Sequence, residues 1–225
     1  MGFAHTGMKL EIFTAVTSMD LPAMDNSIVS TENVLMDIVV PPGMDVVKVL
    51  REIIGWREHI VVLDMVGNLY SKVTHGPRNE LESLAGEIEC HFVSSAEKLL
   101  SMVEKQRNKR GFTLVIDSLV HFQDAFVFGI RDLSGLLWSI VYDCGSTVVT
   151  INNYKVEFGL DSPRLVPRMG KLWPELVSYQ LLVEKNPEKI SYTVQRNPLL
   201  VDFLGCAADT VESPRDTSDY LSSLD

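Results

Sequence analysis

The sequence predicts an α/β fold, a mostly parallel sheet flanked by helices and closed by a C-terminal β-hairpin. Three observations predict it. Across residues 32–152, short apolar runs alternate with segments of helical period. Those runs, such as "VVLDMV" and "TLVI", lack the polar alternation of half-exposed strands, so both faces of the sheet should be covered. Beyond them, "LVSYQLLVEKNPEKISYTVQRN" (176–197) holds two strand-like runs around Asn186-Pro187, which reads as a hairpin.

The elements follow in order. "MKLEIFTAV" (8–16) is a candidate first strand and "SMDLPAMDNS" (18–27) a loop. Residues 34–40 form an apolar strand. Residues 45–54 place Val46, Val49, Leu50 and Ile53 on one helical face, with Asp45 suited to cap the N-terminus. "HIVVLDMV" (59–66) is the next strand, and "ECHFV" (89–93) a short one. "SSAEKLLSMVEKQRNK" (94–109) opens on capping serines and closes on cations that suit a helix C-terminus. "FTLVIDSLV" (112–120) is a strand, "DLSGLLWSIVYDCG" (132–145) a helix stopped by Gly145, and "STVVTIN" (146–152) a further strand. The organisation is an N-terminal segment (1–32), a core (33–205) and an acidic, Ser-rich tail (206–225) that reads as disordered.

Composition narrows the function classes. The chain has 225 residues, 46% of them apolar, enough for one sizeable core. No apolar run approaches the roughly 18–20 residues of a membrane span, and "MGFAHTGMKLEIF" lacks the pattern of a secretory signal. Cys90, Cys144 and Cys206 form no Cys-x-x-Cys pair, so neither a metal site nor a redox motif is expected, and a reducing compartment is. The net charge of −10 argues against a broad nucleic-acid surface while allowing a small basic patch.

The stretch "MDIVVPPGMDVVKVLREII" has the strand, tight turn and helix of a phosphate-binding P-loop without its chemistry. That motif needs two glycines for backbone N–H groups to surround phosphate, a Lys for charge and a hydroxyl for magnesium. In the window 40–47 the first glycine is Val40, Gly43 lies inside, and the closing Gly-Lys-Thr is Asp45-Val46-Val47. Asp45 would set a negative charge beside phosphate, and Val47 offers magnesium nothing. Lys48 falls two positions late, about 200° around the helix. "FTLVIDSL" then has the form of a Walker B strand ending in Asp117, a carboxylate suited to magnesium or its water. "TVVTINNYKV" ends a later strand in Asn152 and Asn153. "PRLVPRMGKLWPELVSYQLLVEK" follows, with Gly170, Leu172, Trp173, Val177, Leu181, Leu182, Val183 and Lys185 in a Gly-x-x-Trp, strand and lysine pattern.

This order of motifs resembles the paralogs of the eukaryotic RecA-type recombinase over roughly 34–196. It is most similar to short subunits of Shu-type mediator complexes and related nematode and vertebrate paralog complexes. The resemblance implies a RecA-like P-loop ATPase core. Tyr179 or Gln180 stands where that family has an Arg. The family's water-activating glutamate falls at Met65 or Val66, with Asp64 one or two residues early, and its amide sensor at Asn153, shorter than the usual Gln. With grip, hydroxyl and activator missing, the expectation is a degenerate, non-catalytic ATPase fold. It would have no cofactor, and ATP would bind only at a partner interface. The resemblance further implies a nuclear subunit of a homologous-recombination mediator complex. Its partners would be another recombinase paralog, a RecA-type recombinase filament and, through the complex, single-stranded DNA, with no membrane.

For DNA contact, Lys155, Arg164, Arg168 and Lys171 follow the fifth core strand, on the side where open α/β sheets bind ligands. "KQRNKR" (105–110) lies at the opposite edge and reads as a solvated helix end. Tyr154 and Phe158 are stacking candidates, expected instead to pack. "GFAHT" lacks the last alanine of the family's Phe-x-x-Ala hook. Two rivals remain: a weak ATPase using Asp117, and an α/β enzyme of unrelated chemistry. The second would draw its base from His5, His59, His75, His91 or His121. Its tempting Cys90-His91 pair should point to opposite faces of a strand. No Gly-x-Ser-x-Gly or His-Glu-x-x-His motif supports it.

Overall fold

The computed structural model describes residues 31–75, 84–122, 129–158, 163–184 and 190–196. The candidate strand at 8–16, His5, Lys185, Cys206, the hairpin turn and the tail at 206–225 lie outside the described residues.

Strand β1 (Leu35–Val40) is buried along its whole length. The chain then turns into α1 (Val46–Ile54), which buries Val47, Val49, Leu50, Ile53 and Ile54. The buried face is thus centred one residue from the expected one, and Val46 is only half-buried. β2 (Arg57–Asp64) leads to α2 (Asn68–His75), a helix the apolar pattern did not announce. β3 (Ala85–Phe92) starts earlier than expected and is only half-buried. α3 (Ala96–Gln106) is capped by Ser95, whose side chain accepts from the Lys98 N–H. β4 (Thr113–Asp117) is followed by a 3-10 turn at Leu119–Phe122. α4 (Ile130–Cys144) ends on Gly145, which takes the left-handed conformation a C-cap requires, at φ 58°. β5 (Thr147–Phe158) runs far beyond the expected 146–152 and returns antiparallel as β6 (Pro163–Pro167). A 3-10 turn at Trp173–Glu175 precedes the expected hairpin, β7 (Tyr179–Glu184) and β8 (Ser191–Arg196).

The strands join one sheet in the order β3-β2-β4-β5-β1-β7-β8, with β6 paired to β5. The five inner pairings from β3 across to β7 are parallel; the β5–β6 and β7–β8 pairings are antiparallel. The α/β class, the mostly parallel sheet and the closing hairpin are therefore as the sequence predicts. Strand alternation divides the core in two. Leu35, Leu63, Ile116 and Val148 pack on one side with Leu99, Leu137, Ile140 and Trp173. Met36, Ile38, Val62 and Val149 pack on the other with Val49, Leu50 and Ile53. Each fully buried aliphatic side chain contributes about 1.5–3 kcal/mol relative to exposure. Trp173 packs in the core, at 0% exposure.

This topology positions the site. β5 lies between β1 and β4, so the turn after β1 and Asp117 at the end of β4 share the carboxyl edge, one strand apart. The β5–β6 ribbon extends past that edge. Among the described residues, no helix is long and apolar enough to cross a membrane.

Candidate functional site

The turn after β1 closes on itself. Met44 N–H donates to the Pro41 carbonyl at 3.3 Å, and Gly43 has φ 75°. Pro42 then Gly43 at the two central positions is the pattern of a type II turn. Pro41 and Pro42 have no N–H, and that of Met44 faces inward. Val47 N–H donates to Asp45 Oδ1 at 3.0 Å. Four of the backbone positions that would face a phosphate, Pro41, Pro42, Met44 and Val47, are therefore without an N–H or have it engaged. The Asp45 carboxylate occupies the helix N-terminus where an exogenous anion would bind.

Asp45 also meets Lys72 of α2, whose Nζ lies 2.6 Å from Oδ1. Burial works against its charge, but the Lys72 hydrogen bond and charge, with the Val47 and Lys48 N–H groups, hold the carboxyl below its usual pKa. Lys72, which reaches the turn, is thus neutralised. A cleft of about 320 Å³ between Met44, Asp45, Val46, Leu69, Ser71 and Lys72 remains. It is large enough for a small ligand, but this ion pair forms part of its wall. Val40 is buried and Lys48 exposed.

Two carboxylates end adjacent strands. Asp64 and Asp117 are register partners of β2 and β4. Both Asp64 oxygens are engaged, Oδ1 by the Val66 and Gly67 N–H groups at 2.8 and 2.7 Å and Oδ2 by Tyr70 N–H at 2.7 Å. Asp64 therefore organises the turn into α2, a structural task that leaves it poorly placed to activate water. Met65 donates its N–H to the Asp117 carbonyl. The Asp117 side chain differs. It is 4% exposed and makes no hydrogen bond among the described residues. Burial, and then the Asp64 charge, push its pKa up to about 7. The Asp117–Ser118 peptide is cis.

One buried group escaped the sequence reading. Asp37, in the middle of β1, is fully buried. Its Oδ1 accepts from Thr150 Oγ1 at 2.7 Å and Asn152 Nδ2 at 2.6 Å, and its Oδ2 from Gln180 Nε2 at 2.9 Å. Desolvation raises its pKa; the Gln180, Thr150 and Asn152 bonds oppose the rise. The Trp173 indole also favours the charged form, although its Nε1 makes no hydrogen bond of its own. Ser118 Oγ completes the chain by donating to Asn152 Oδ1 at 3.2 Å. A polar layer thus crosses β4, β5, β1 and β7. Its signal in the sequence was a lone Asp inside "VLMDIVV". Asn152 belongs to this layer, while half-buried Asn153 uses its carbonyl to hold the Arg168 N–H.

The basic candidates divide. Lys155 lies on β5 and pairs with Glu157 at 2.7 Å. Arg164 on β6 and Arg168 and Lys171 just beyond it are exposed. Phe158 does not pack as expected. It is 88% exposed, because β5 carries it clear of the core. Tyr154 is half-buried, and its hydroxyl donates to the Val183 carbonyl at 3.3 Å. In the opposite basic run, Arg107 pairs with Glu104, Lys109 with Glu89, and Arg110 with the Asp143 carbonyl. A solvated helix end describes it well.

Among the described side chains, Cys90, His59 and His91 do not converge. Cys90 packs toward the α1 side, and burial pushes its thiol up to about 12. His91 turns instead to Glu89, 2.6 Å away, and His59 to Glu87 at 3.2 Å. The side chains of His75 and His121 lie outside the described residues. No group of three or more metal-ligating side chains forms among the described residues.

No protein-family model matches the chain, and no curated protein matches it. Solved structures do match. One of them, a crystal structure of the RadB recombinase, is 16% identical, with a TM-score of 0.47. That match covers 74% of this chain and 82% of that one.

Proposed function

We propose that the chain is a non-catalytic recombinase-paralog subunit of a homologous-recombination mediator complex. In this reading it pairs with another paralog and stabilises or remodels RecA-type recombinase filaments on single-stranded DNA in the nucleus. One observation carries it. At the carboxyl edge of the sheet, Asp45 caps α1 and pairs with Lys72 where a triphosphate would need free N–H groups and a free cation. A strand-turn-helix that ordinarily accepts an external anion carries its own. The order of motifs along 34–196 supports the recombinase relationship. The chain needs no cofactor; ATP enters only where a partner supplies the loop. Lys155, Arg164, Arg168 and Lys171 are its basic groups near the working edge.

The test is a reconstitution. The isolated chain, titrated calorimetrically with ATP and magnesium to millimolar concentration, gives no binding heat. Mixed with a partner paralog and a RecA-type recombinase on fluorescent oligo-dT, it slows filament disassembly. Absence of any association with recombinase, with or without the paralog, overturns the reading.

A second reading, a weak ATPase, rests on Asp117, a buried carboxylate without a partner among the described residues at the ligand edge. Hydrolysis by the isolated chain that disappears in Asp117→Ala would establish it and displace the first.

A further inference from the structure

The β5–β6 ribbon is amphipathic. Directly opposed residues of an antiparallel pair share a face. The pairs Tyr154–Pro167, Val156–Leu165 and Phe158–Pro163 make one face wholly apolar. Val156 is 50% and Phe158 88% exposed, so the outer part of that face is open among the described residues. The other face carries Lys155 and Glu157 of β5, with Val166 opposite Lys155, Arg164 opposite Glu157 and Arg168 beside Asn153. Three cations thus meet one carboxylate on a chain whose net charge is −10.

Three occupants of the apolar face can be compared. A single nucleic-acid strand needs stacking rings and phosphate-binding cations along the same groove. Here Phe158 and the cations stand on opposite faces, and Lys155 is held by Glu157 at 2.7 Å. A second copy is a poor match by area. Five residues per strand at roughly 3.3 Å each give a short face that buries only a few hundred Å², against the roughly 800 Å² per partner of a stable interface. Extension by another strand is disfavoured because Pro163 and Pro167, at the two ends of β6, have no N–H to donate. A cleft in a different protein fits both faces at once. Its apolar floor would take Phe158 and Val156, and carboxylates on its wall would meet Arg164 and Arg168. Enclosing both faces also supplies the area that a flat contact lacks.

We propose that the β5–β6 ribbon is a docking finger that inserts its apolar face into a cleft of a different protein chain whose rim is acidic. This rests on the reading of the chain as a docking subunit and names the element that docks.

The experiment uses the full chain in its native complex, with Phe158 replaced by the photo-crosslinker p-benzoylphenylalanine. Irradiation and peptide mapping should place the adduct on another subunit, in an apolar segment flanked by Asp or Glu. With that subunit purified, Val156→Ser/Phe158→Ser should weaken its binding on the order of 100-fold, the range of buried aromatic anchors. Arg164→Glu should weaken binding and flatten its salt dependence. Both changes are at exposed sites, so an unchanged melting temperature reports an intact fold. An adduct with oligo-dT alone, an adduct with a second copy, no adduct, or unaltered binding by the double variant would each overturn the proposal. If a complex forms and survives the double variant, only the finger is wrong. If no other subunit accompanies the chain, the docking-subunit reading fails as well.

Discussion

Asp117→Asn tests the carboxylate at the end of β4. Burial and the adjacent Asp64 push its pKa from 3.8 up to about 7. The folded chain therefore holds this proton more tightly than the unfolded chain. Between about pH 4 and pH 7 the folded state carries more bound protons, so its stability falls as pH rises through that window and levels off above it. The rise spans about three pKa units, or about 4 kcal/mol at roughly 1.36 kcal/mol per unit. Asparagine keeps the shape and removes the charge, but its buried amide also wants partners, which costs about 1–3 kcal/mol. The net expectation is a gain of about 1–3 kcal/mol at pH 8 and none, or a loss, near pH 4. Urea unfolding at both pH values, with m compared between variants, measures this. At this chain length each kcal/mol moves the melting temperature by about 2–4 °C. A variant no more stable than the wild type at pH 8, with the same pH profile, would refute the picture of a buried charge without a partner among the described residues.

Other outcomes follow from the same geometry. Asp45→Ala removes an N-cap and an exposed ion pair, and should cost about 1–2 kcal/mol by thermal melting. Asp45→Asn keeps the cap and should cost less than about 1 kcal/mol. Because the Asp45 pKa is depressed, its contribution is present above the unfolded value and fades as pH falls through the folded one. The gap between Asp45→Ala and wild type should therefore close in acid. Thr150→Val removes one of three side-chain donors to Asp37 and should destabilise by about 1–2 kcal/mol. Asp37→Ala orphans the buried Asn152 and Gln180 amides as well and should cost at least about 3 kcal/mol by urea unfolding.

The parts of this chain legible in its sequence are those governed by one dominant force. Apolar runs such as "HIVVLD" fix a buried strand because burial overrides every other preference there. Asp45 reads as an N-cap because its geometry is local. What failed to show depends on partners far away in sequence. α2 ("NLYSKVTH") has little apolar periodicity; its start is organised by Asp64, whose oxygens take three N–H groups. The ribbon did not show because "KVEF" and "PRLVP" each look unremarkable; only their register gathers the apolar residues on one face. Asp37 was invisible as a site because its three donors come from residues 150, 152 and 180. At the candidate site, the sequence supplied the hostile residues of the turn but not Lys72, which comes from the unannounced helix.

The Asp37 layer gives a physical reason for the ribbon and the closed turn to hold a fixed relation. A carboxylate buried among apolar strands is expensive to desolvate, and a well-packed apolar residue would often be no less stable. What the buried carboxyl adds is discrimination. Moving β5 by one residue against β1 would turn Thr150 and Asn152 to the other face and strand Asp37 without donors. The register of β5 is therefore set by an all-or-none hydrogen-bonding condition rather than by interchangeable valines and isoleucines. β5 continues without interruption from that layer at Asn152 into the ribbon at Tyr154. The Tyr154 hydroxyl ties the base of the ribbon to β7, and Gln180 ties β7 to the same carboxylate. A finger that docks by shape gains affinity from being held in place beforehand. In this sheet the holding is done by the buried Asp37 carboxyl and its donors, two residues below the ribbon's base.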